Sequence, residues 1–187
     1  EQWGVDLLQR VRGMFTFVIW DKNKQELFGA RDHFGIKPFY YAKMNGTFMY
    51  ASEIKSLLRH PDFVKELNAE ALKPYMTFQY PAIGETFFKG VYKLPEGHYF
   101  TYRDGKMDIH RYYDEDFREG KQKLGELVNS IDQTVCDSVK AHQIADVEVG
   151  SFLSSGVDSS YVAAVARPQH TYSIGFGKGT YLSLIHI

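Results

Sequence analysis

The sequence predicts an α+β unit followed by an α/β unit, and three observations support that prediction. Aromatic and β-branched runs separated by turn residues fill the first 113 residues, as is typical of antiparallel sheets. Residues 114–123 are charged and lack apolar periodicity, which predicts a linker. Residues 124–177 follow the order helix, strand, tight loop, helix and strand, which indicates parallel strands joined by a crossover.

Turn sequences between apolar runs predict the antiparallel part. The pair Asn45-Gly46 is the preferred sequence of a type I′ turn, and Asp104-Gly105 likewise lies between two apolar runs. A longer polar turn lies at residues 21–25. The predicted hairpins are residues 15–20 with 26–31, 39–42 with 47–51, and 99–103 with 107–113.

Helices are predicted where capping residues precede helix-forming stretches. Ser52 is expected to cap residues 53–59, and Asn68 to cap residues 69–79, with a kink at Pro74. In the second unit, apolar residues at three- and four-residue spacing predict an amphipathic helix. The expected elements there are helix 124–145, strand 147–153, helix 161–166, with a helical pattern that starts near Val157, and strand 171–176.

Composition excludes several classes of function. The 187 residues include 22 basic and 23 acidic side chains, a net charge of −1, which argues against nucleic acid or anionic lipid as a partner. The apolar run at residues 14–20 is far shorter than the roughly 20 residues of a membrane helix. A single cysteine, Cys136, excludes an intramolecular disulfide framework and favours a reducing, cytoplasmic location.

The strongest local signal is the loop that follows the predicted strand ending at Leu153. Hydroxyl groups of Ser154, Ser159 and Ser160 lie there beside the start of the next helix. The first N–H groups of a helix have no intrahelical acceptor and carry a partial positive charge, so such a loop can bind an anion. The loop lacks the lysine of a Walker sequence and the spacing of a dinucleotide motif, which disfavours kinase- or GTPase-like chemistry.

Asp158 constrains the ligand of this loop. A carboxylate would repel a bare phosphate, so it makes chemical sense if a divalent cation lies between the two groups. The competing interpretation is that Ser154, Ser155 and Asp158 only cap a helix, because serine and aspartate are ordinary capping residues. Both interpretations remain open at this point.

Several segments resemble known families. The stretch VGSFLSSGVDSSYVAAVA resembles the pyrophosphate loop of the N-type ATP pyrophosphatases, which split ATP between its α and β phosphates. The stretches GMFTFVIWD, ARDHFGIKPFYYA, ASEIKSLL and KLPEGHYF are similar, in this order, to the later half of a class II glutamine amidotransferase domain. Together they resemble the glutamine-hydrolysing asparagine synthetase family over about residues 1–177.

The resemblance implies a fold and an activity. Residues 1–113 would be the C-terminal part of an αββα N-terminal-nucleophile sandwich, and residues 124–177 the start of a Rossmann-like parallel-sheet ATP pyrophosphatase domain. The full-length parent would be an ATP-dependent ligase. It would use aspartate, ATP with Mg²⁺ and glutamine-derived ammonia, pass through β-aspartyl-AMP, and release AMP and pyrophosphate. A homodimer of that parent is an expectation of the same kind.

The resemblance also implies site residues. Asp158 matches a position suited to Mg²⁺, while the backbone of Leu153 and Ile174 would lie against adenosine. Ser155 replaces the glycine usual in the family, and a positive φ at this position would cost about 1 kcal/mol. The residues that match the pyrophosphate loop are Ser154, Ser155, Gly156, Val157, Asp158 and Ser159.

The remaining expectations concern a missing catalytic residue, a C-terminal tail and two residues with a structural role. The glutaminase nucleophile of the family would lie upstream of Glu1, so no catalytic residue is predicted and the fragment is expected to be inactive. Residues 178–187 are expected to be a non-native tail, because residues 182–187 can be back-translated to a transposon end used in sequencing libraries. Arg31 and Asp32 are predicted to form a buried ion pair that orients a loop, with a glutamine contact as the alternative.

Two alternative functions are compatible with the same residues. Another amidotransferase-coupled, adenylate-forming synthetase, such as a β-lactam synthetase-like enzyme, would share the architecture. A non-catalytic nucleotide-binding module could keep the loop without the chemistry, and Ser155 is the feature that favours it.

Overall fold

A computed structural model of the chain describes residues 2–80 and 83–175, in two units divided between Phe117 and Arg118. The first unit opens with a 3-10 helix, Gly4–Gln9. Its strands are β1 (Thr16–Asp21), β2 (Glu26–Arg31), β3 (Tyr40–Met44), β4 (Thr47–Ala51), β5 (Val91–Lys93), β6 (His98–Arg103) and β7 (Lys106–Arg111), and its helices are α1 (Ile54–Leu57) and α2 (Ala69–Phe78).

All three predicted hairpins are confirmed. β1 pairs with β2, β3 with β4 and β6 with β7, each antiparallel. The turn residues Asn45 and Gly46 have φ values of 49° and 81°, and Asp104 and Gly105 have 50° and 76°. Positive φ at both central positions is the type I′ geometry, whose twist matches that of the flanking strands. The turn sequences therefore set these strand registers.

The strands form two antiparallel sheets, with orders β1-β2-β6-β7 and β4-β3-β5. β5 was not predicted, because a run of three residues is too short to show a period of two. It lies at the edge of the smaller sheet, where Val91 is buried opposite Ala42. The expectation of mixed α and β structure with antiparallel sheets is confirmed for this unit.

Aromatic side chains connect the two sheets. Phe100 of β6 is fully buried and packs against Phe39 and Phe48, with ring centroids 5.5 and 6.0 Å apart. Phe48 of β4 also stacks on Tyr102 of β6 at 4.2 Å. Burial of several large rings at one place removes much apolar area from water, so this cluster stabilises the pairing of the sheets.

A glycine makes room for the central ring of that cluster. Gly29 of β2 lies directly opposite Phe100 of β6. A Cβ atom at position 29 would lie 2.3 Å from Cε1 and 2.5 Å from Cζ of the Phe100 ring. Such distances are far below van der Waals contact, so any side chain at position 29 would force the Phe100 ring to move.

The helix caps differ from the prediction. α1 begins at Ile54 with Glu53 at its N-cap, so the expected cap at Ser52 is wrong, and the helix ends at Leu57. Asn68 does stand at the N-cap of α2, but its side chain donates to the carbonyl of Thr86 at 3.1 Å and makes no capping bond. The prediction of Asn68 as the N-cap residue of α2 is therefore correct in position. Its side chain forms a hydrogen bond to the segment at Thr86 instead of capping the helix.

Arg31 lies at the end of β2 and is 2% exposed. Its guanidinium donates to the carbonyls of Lys37 at 2.8 Å and Leu94 at 2.7 Å, and also to that of Gly35. Gly35 has φ of +62°, and a Cβ there would lie 2.8 Å from the Arg31 Cζ. The guanidinium is therefore enclosed by the loop that it holds, and burial lowers the pKa of Arg31 despite the nearby Asp32.

Asp32 follows immediately and is 1% exposed. Its carboxylate accepts N–H bonds from Phe34 at 3.2 Å, Ile36 at 2.9 Å and Lys37 at 2.9 Å. Burial alone would raise the pKa of Asp32, but these backbone bonds outweigh it and the pKa is lowered. Both charged side chains thus orient a loop, as predicted, although they do so through its backbone and not through an ion pair.

The second unit contains α3 (Leu124–His142), β8 (Ser151–Phe152), α4 (Val157–Ala166) and β9 (Thr171–Tyr172). β8 and β9 are parallel, with Ser151 opposite Thr171 and Phe152 opposite Tyr172. The strands are shorter than expected and α3 ends three residues early. Phe176 and the expected tail, residues 178–187, lie outside the described residues.

Replacing Gly29 with alanine tests the packing of Phe100. We expect Gly29→Ala to lower the free energy of unfolding by about 1–3 kcal/mol, because the added methyl group must displace the buried ring. Urea titration followed by circular dichroism measures the change. Gly84→Ala is the matched control, because a Cβ at position 84 meets no atom within 4 Å. Equal stability of the two variants would contradict the proposed packing.

Replacing Asp32 with asparagine tests the buried carboxylate. We expect Asp32→Asn to cost about 2 kcal/mol at neutral pH, because the amide has one acceptor oxygen where the carboxylate uses two, and its NH2 group would face a backbone N–H. The folded-state pKa is below the ordinary 3.8, so this stability is present above pH ~4 and is lost as pH falls through the folded-state pKa. Unfolding measured from pH 7 to pH 2 should show the two proteins converging, whereas the exposed Asp104→Asn should show no such trend.

Candidate functional site

The loop between β8 and α4 begins at Leu153, whose N–H and carbonyl are both hydrogen-bonded. Leu153 is 5% exposed, which makes it the one buried residue among those described in the second unit. Its N–H donates to the carbonyl of Tyr172 at 2.9 Å, and its carbonyl accepts from Oγ of Ser173 at 2.7 Å. The end of β8 is therefore held beside the segment that follows β9.

Serine hydroxyl groups connect the loop to the first turn of α4. Oγ of Ser159 accepts the N–H of Ser154 at 3.1 Å, lies 2.8 Å from Oγ of Ser154 and lies 3.1 Å from the carbonyl of Gly156. Oγ of Ser154 accepts the N–H of Gly156 at 3.2 Å. Oγ of Ser160 donates to the carbonyl of Gly156 at 2.9 Å. These bonds fix the loop conformation without a basic side chain.

Gly156 occupies the N-cap of α4, with φ of −80° and ψ of 150°. None of the three residues that were considered as simple caps, namely Ser154, Ser155 and Asp158, is therefore the N-cap residue. A Cβ at position 156 would lie 3.3 Å from Oγ of Ser154, so glycine also allows the loop to close tightly. The N–H groups of the first turn lie at the positive end of the helix dipole.

Ser155 does not have the positive φ that would have carried an energetic cost. Within residues 2–80 and 83–175, the non-glycine residues with positive φ are Gln25, Asn45, Gln79, Asp104 and Arg167, and Ser155 is not one of them. The cost of placing a Cβ in the left-handed region therefore does not arise at this position. Backbone strain therefore gives no support to the non-catalytic nucleotide-binding module that Ser155 favours, and that alternative stays a prediction.

Asp158 lies in the first turn of α4, and its carboxylate is a hard oxygen donor of the kind that Mg²⁺ prefers. Within residues 2–80 and 83–175, no three His, Cys, Asp or Glu side chains are grouped as a metal site. A Mg²⁺ ion at Asp158 would therefore take its remaining ligands from phosphate oxygens and water, which is how magnesium is usually held beside a nucleotide. The residues present fit that arrangement.

Ile174 comes two residues after β9 and is 66% exposed. Leu153 and Ile174 lie at the ends of adjacent parallel strands, because the bonds from Leu153 to Tyr172 and from Ser173 to Leu153 join those two segments. The expected contact of their backbones with adenosine stays a prediction.

Sequence reasoning missed three residues that support α4. The hydroxyl of Tyr161 on α4 donates to Oδ1 of Asp132 on α3. Nε2 of Gln143, at the end of α3, donates to the carbonyl of Ala166 at 2.7 Å. No local pattern links residues separated by more than twenty positions, so only the folded arrangement reveals these contacts.

Comparison with known proteins places the chain in a family. The glutamine amidotransferase domain family matches residues 1–113, and the asparagine synthase family matches residues 130–183. The chain belongs to the glutamine amidotransferase family. The second match confirms the narrower resemblance to the glutamine-hydrolysing asparagine synthetases.

Two curated relatives illustrate the similarity. Asparagine synthetase [glutamine-hydrolyzing] 1 of Bacillus subtilis (strain 168) is 42% identical over 172 residues, covering 89% of this chain and 27% of the relative. Amidase chry2 of Gibberella zeae is 32% identical over 194 residues, covering 99% of this chain and 27% of the relative. The chain thus spans about a quarter of the length of these proteins.

A solved structure of the allosteric regulatory enzyme of purine biosynthesis is similar over 97% of this chain and 36% of that chain, with 12% identity and a TM-score of 0.38. A similarity of this size carries no argument about the fold.

Across the part of the chain that is described, no helix combines the length and apolar character needed to cross a bilayer.

Removing the hydroxyl of Ser159 tests the internal bonding of the loop. We expect Ser159→Ala to speed amide hydrogen exchange at residues 154–156 about five-fold, because each lost hydrogen bond contributes about 1 kcal/mol. Exchange read by NMR measures the effect. Ser160→Ala, which removes one bond to the Gly156 carbonyl, should perturb the loop less. Equal protection in Ser159→Ala and the unmodified protein would show that the hydroxyl does not hold the loop.

Proposed function

We propose that the chain is a section of an ATP-dependent amidoligase that makes asparagine. Residues 1–113 would be the C-terminal part of its glutamine amidotransferase type-2 domain, residues 114–123 a linker, and residues 124–177 the start of its Rossmann-like synthetase domain. The family matches at residues 1–113 and 130–183 support this assignment. The relative at 42% identity, which is named a glutamine-hydrolysing asparagine synthetase, supports the substrates.

The observation that carries the proposal is the position of the loop after β8. It lies at the carboxyl end of a parallel strand and at the N-terminus of α4, where ligands of parallel sheets commonly bind. The N–H groups of Val157, Asp158 and Ser159 would hold the pyrophosphate part of ATP. The hydroxyls of Ser154 and Ser159 would keep those donors in place through the bonds described above.

The reaction proposed for the complete protein has two transfers. An oxygen of the aspartate side-chain carboxylate attacks the α-phosphorus of ATP, and pyrophosphate leaves with the electrons of the broken phosphorus–oxygen bond. Ammonia then attacks the acyl carbon of β-aspartyl-AMP, AMP leaves with the electrons of the broken carbon–oxygen bond, and the nitrogen loses one proton. Mg²⁺ at Asp158 would neutralise negative charge on the phosphates.

The first unit would belong to the part that supplies ammonia by hydrolysing glutamine. No residue of this chain is assigned as the glutaminase nucleophile. Arg31 and Asp32 are assigned a structural role, because their side chains bond to their own loop and are buried. Glutamine and aspartate are therefore proposed as substrates of the complete protein.

Pyrophosphate exchange tests this function. In the complete protein that carries this chain, we expect aspartate-dependent exchange of labelled pyrophosphate into ATP, and Asp158→Asn should reduce its rate on the order of 100-fold through loss of charge stabilisation. Asp146→Asn, also exposed and in the second unit, is the matched control and should leave the rate unchanged. Exchange that needs no carboxylic acid, or that ignores Asp158→Asn, would overturn the proposal.

A second candidate is an amide-forming synthetase that activates another carboxylic acid. A relative named amidase chry2, which is 32% identical and matches nearly the whole chain, supports this second candidate. The same exchange assay decides between the two candidates when aspartate is compared with other amino and carboxylic acids.

A further inference from the structure

Among the described residues, α3 and α4 are separated by a pocket and make little close apolar contact with each other. A cavity of about 510 Å³ lies between α3, α4 and β8, and its lining includes Val135, Val139, Val162 and Ala166. No residue of α3 or α4 is fully buried. Apolar contact is non-directional, and where it leaves such a gap a helix can rotate or slide at little cost.

Two hydrogen bonds join α4 to α3, one from the middle of α4 and one from its C-terminal end. In the middle, the Tyr161 hydroxyl donates to Oδ1 of Asp132. At its end, the carbonyl of Ala166 accepts from Nε2 of Gln143 at 2.7 Å. Hydrogen bonds are directional, so these two bonds together restrict both the rotation of α4 about its axis and its position along that axis.

Tyr161 lies three residues beyond Asp158, which is about 4.5 Å along a helix that rises 1.5 Å per residue. The bond to Asp132 therefore acts within one turn of the N–H groups that face the proposed anion. A small rotation of α4 would turn those donors and the Asp158 carboxylate away from a bound phosphate, whose hydrogen bonds weaken steeply with angle.

We propose that Tyr161 and Asp132 are positioning residues for the pyrophosphate site, acting by holding the rotation of α4. Gln143 adds the second contact, at the C-terminal end of α4. The inference rests on the proposed function, because it assumes that the first turn of α4 binds the diphosphate of ATP. None of the three residues is assigned contact with the nucleotide itself.

The hydroxyl of Tyr161 keeps its proton under the conditions of such a reaction. Its hydrogen bond to Asp132 is the main cause that raises the pKa of Tyr161 to about 12. The phenol therefore remains a donor throughout the neutral range. Asp132 Oδ1 also lies 3.9 Å from Sγ of Cys136, one turn further along α3, which adds a weak second donor to the same oxygen.

The test uses the complete protein and the pyrophosphate exchange assay. We expect Tyr161→Phe to raise the KM for Mg·ATP about five- to ten-fold, the effect of losing one hydrogen bond that orients the site. The rate at saturating ATP should change less than two-fold, and glutamine hydrolysis should not change. Asp132→Ala should behave like Tyr161→Phe, while Asp132→Asn keeps an acceptor oxygen and should restore most of the affinity. Tyr172→Phe removes the same atom from an exposed tyrosine of the same unit and is the control.

A double variant separates positioning from general stability. If the two residues act through one bond, Tyr161→Phe with Asp132→Ala should be no worse than either change alone. Lower thermal stability with an unchanged KM would overturn the inference, as would additive effects on KM. Absence of aspartate-dependent exchange in the unmodified protein would instead overturn the proposed function. Failure of the positioning role and failure of the proposed function are therefore distinguishable.

Discussion

Two adjacent buried charges hold the first unit together at the end of β2. Their side chains shape the adjoining loop and reach Leu94, and the backbone groups of the same two residues bond to three further segments. Asp32 donates its N–H to the carbonyl of Phe15 at 2.9 Å, and its carbonyl accepts from Gly97 at 2.9 Å. The Arg31 carbonyl accepts the hydroxyl of Tyr112 at 2.7 Å. The start of β1, the turn before β6 and the end of β7 therefore all depend on one short stretch of backbone.

The burial of these charges is tolerated because their hydrogen bonds are satisfied. No buried side-chain nitrogen or oxygen among the described residues lacks a partner. A buried charge with a complete set of partners contributes to specificity of structure, whereas removal of one partner leaves an uncompensated charge. Burial lowers the pKa of Arg31, and backbone bonds lower the pKa of Asp32 against the effect of burial, so both groups are tied to the folded loop.

The second unit is organised by different means. Its described residues bury little apolar surface among themselves, and its candidate site is shaped by hydroxyl and backbone hydrogen bonds around Gly156. Such a site can be built from few residues because a helix terminus already provides oriented donors. Its geometry depends on where the helix points, which makes the contacts between α3 and α4 as relevant as the loop sequence.

Local chemistry explains which features could be predicted. Asn45-Gly46 needs a conformation that few other sequences adopt, so it identified a hairpin and its register. The serine-rich loop was recognisable because β8, the loop and α4 are consecutive in sequence. Ser52 failed as a cap because the chain enters α1 one residue later, and the bond between Asp132 and Tyr161 depends on how two helices pack. Long-range contacts of that kind leave no periodic trace in a sequence.

The contact between Gly29 and Phe100 constrains how this chain can diverge. The two positions share one space between neighbouring strands, so any larger side chain at position 29 requires a smaller one at position 100. If the glycine changes first, the intermediate is overpacked, and if the ring shrinks first, the intermediate contains a cavity in place of a fully buried side chain. Both single changes lower stability, so the two positions are expected to change together or to remain as a pair.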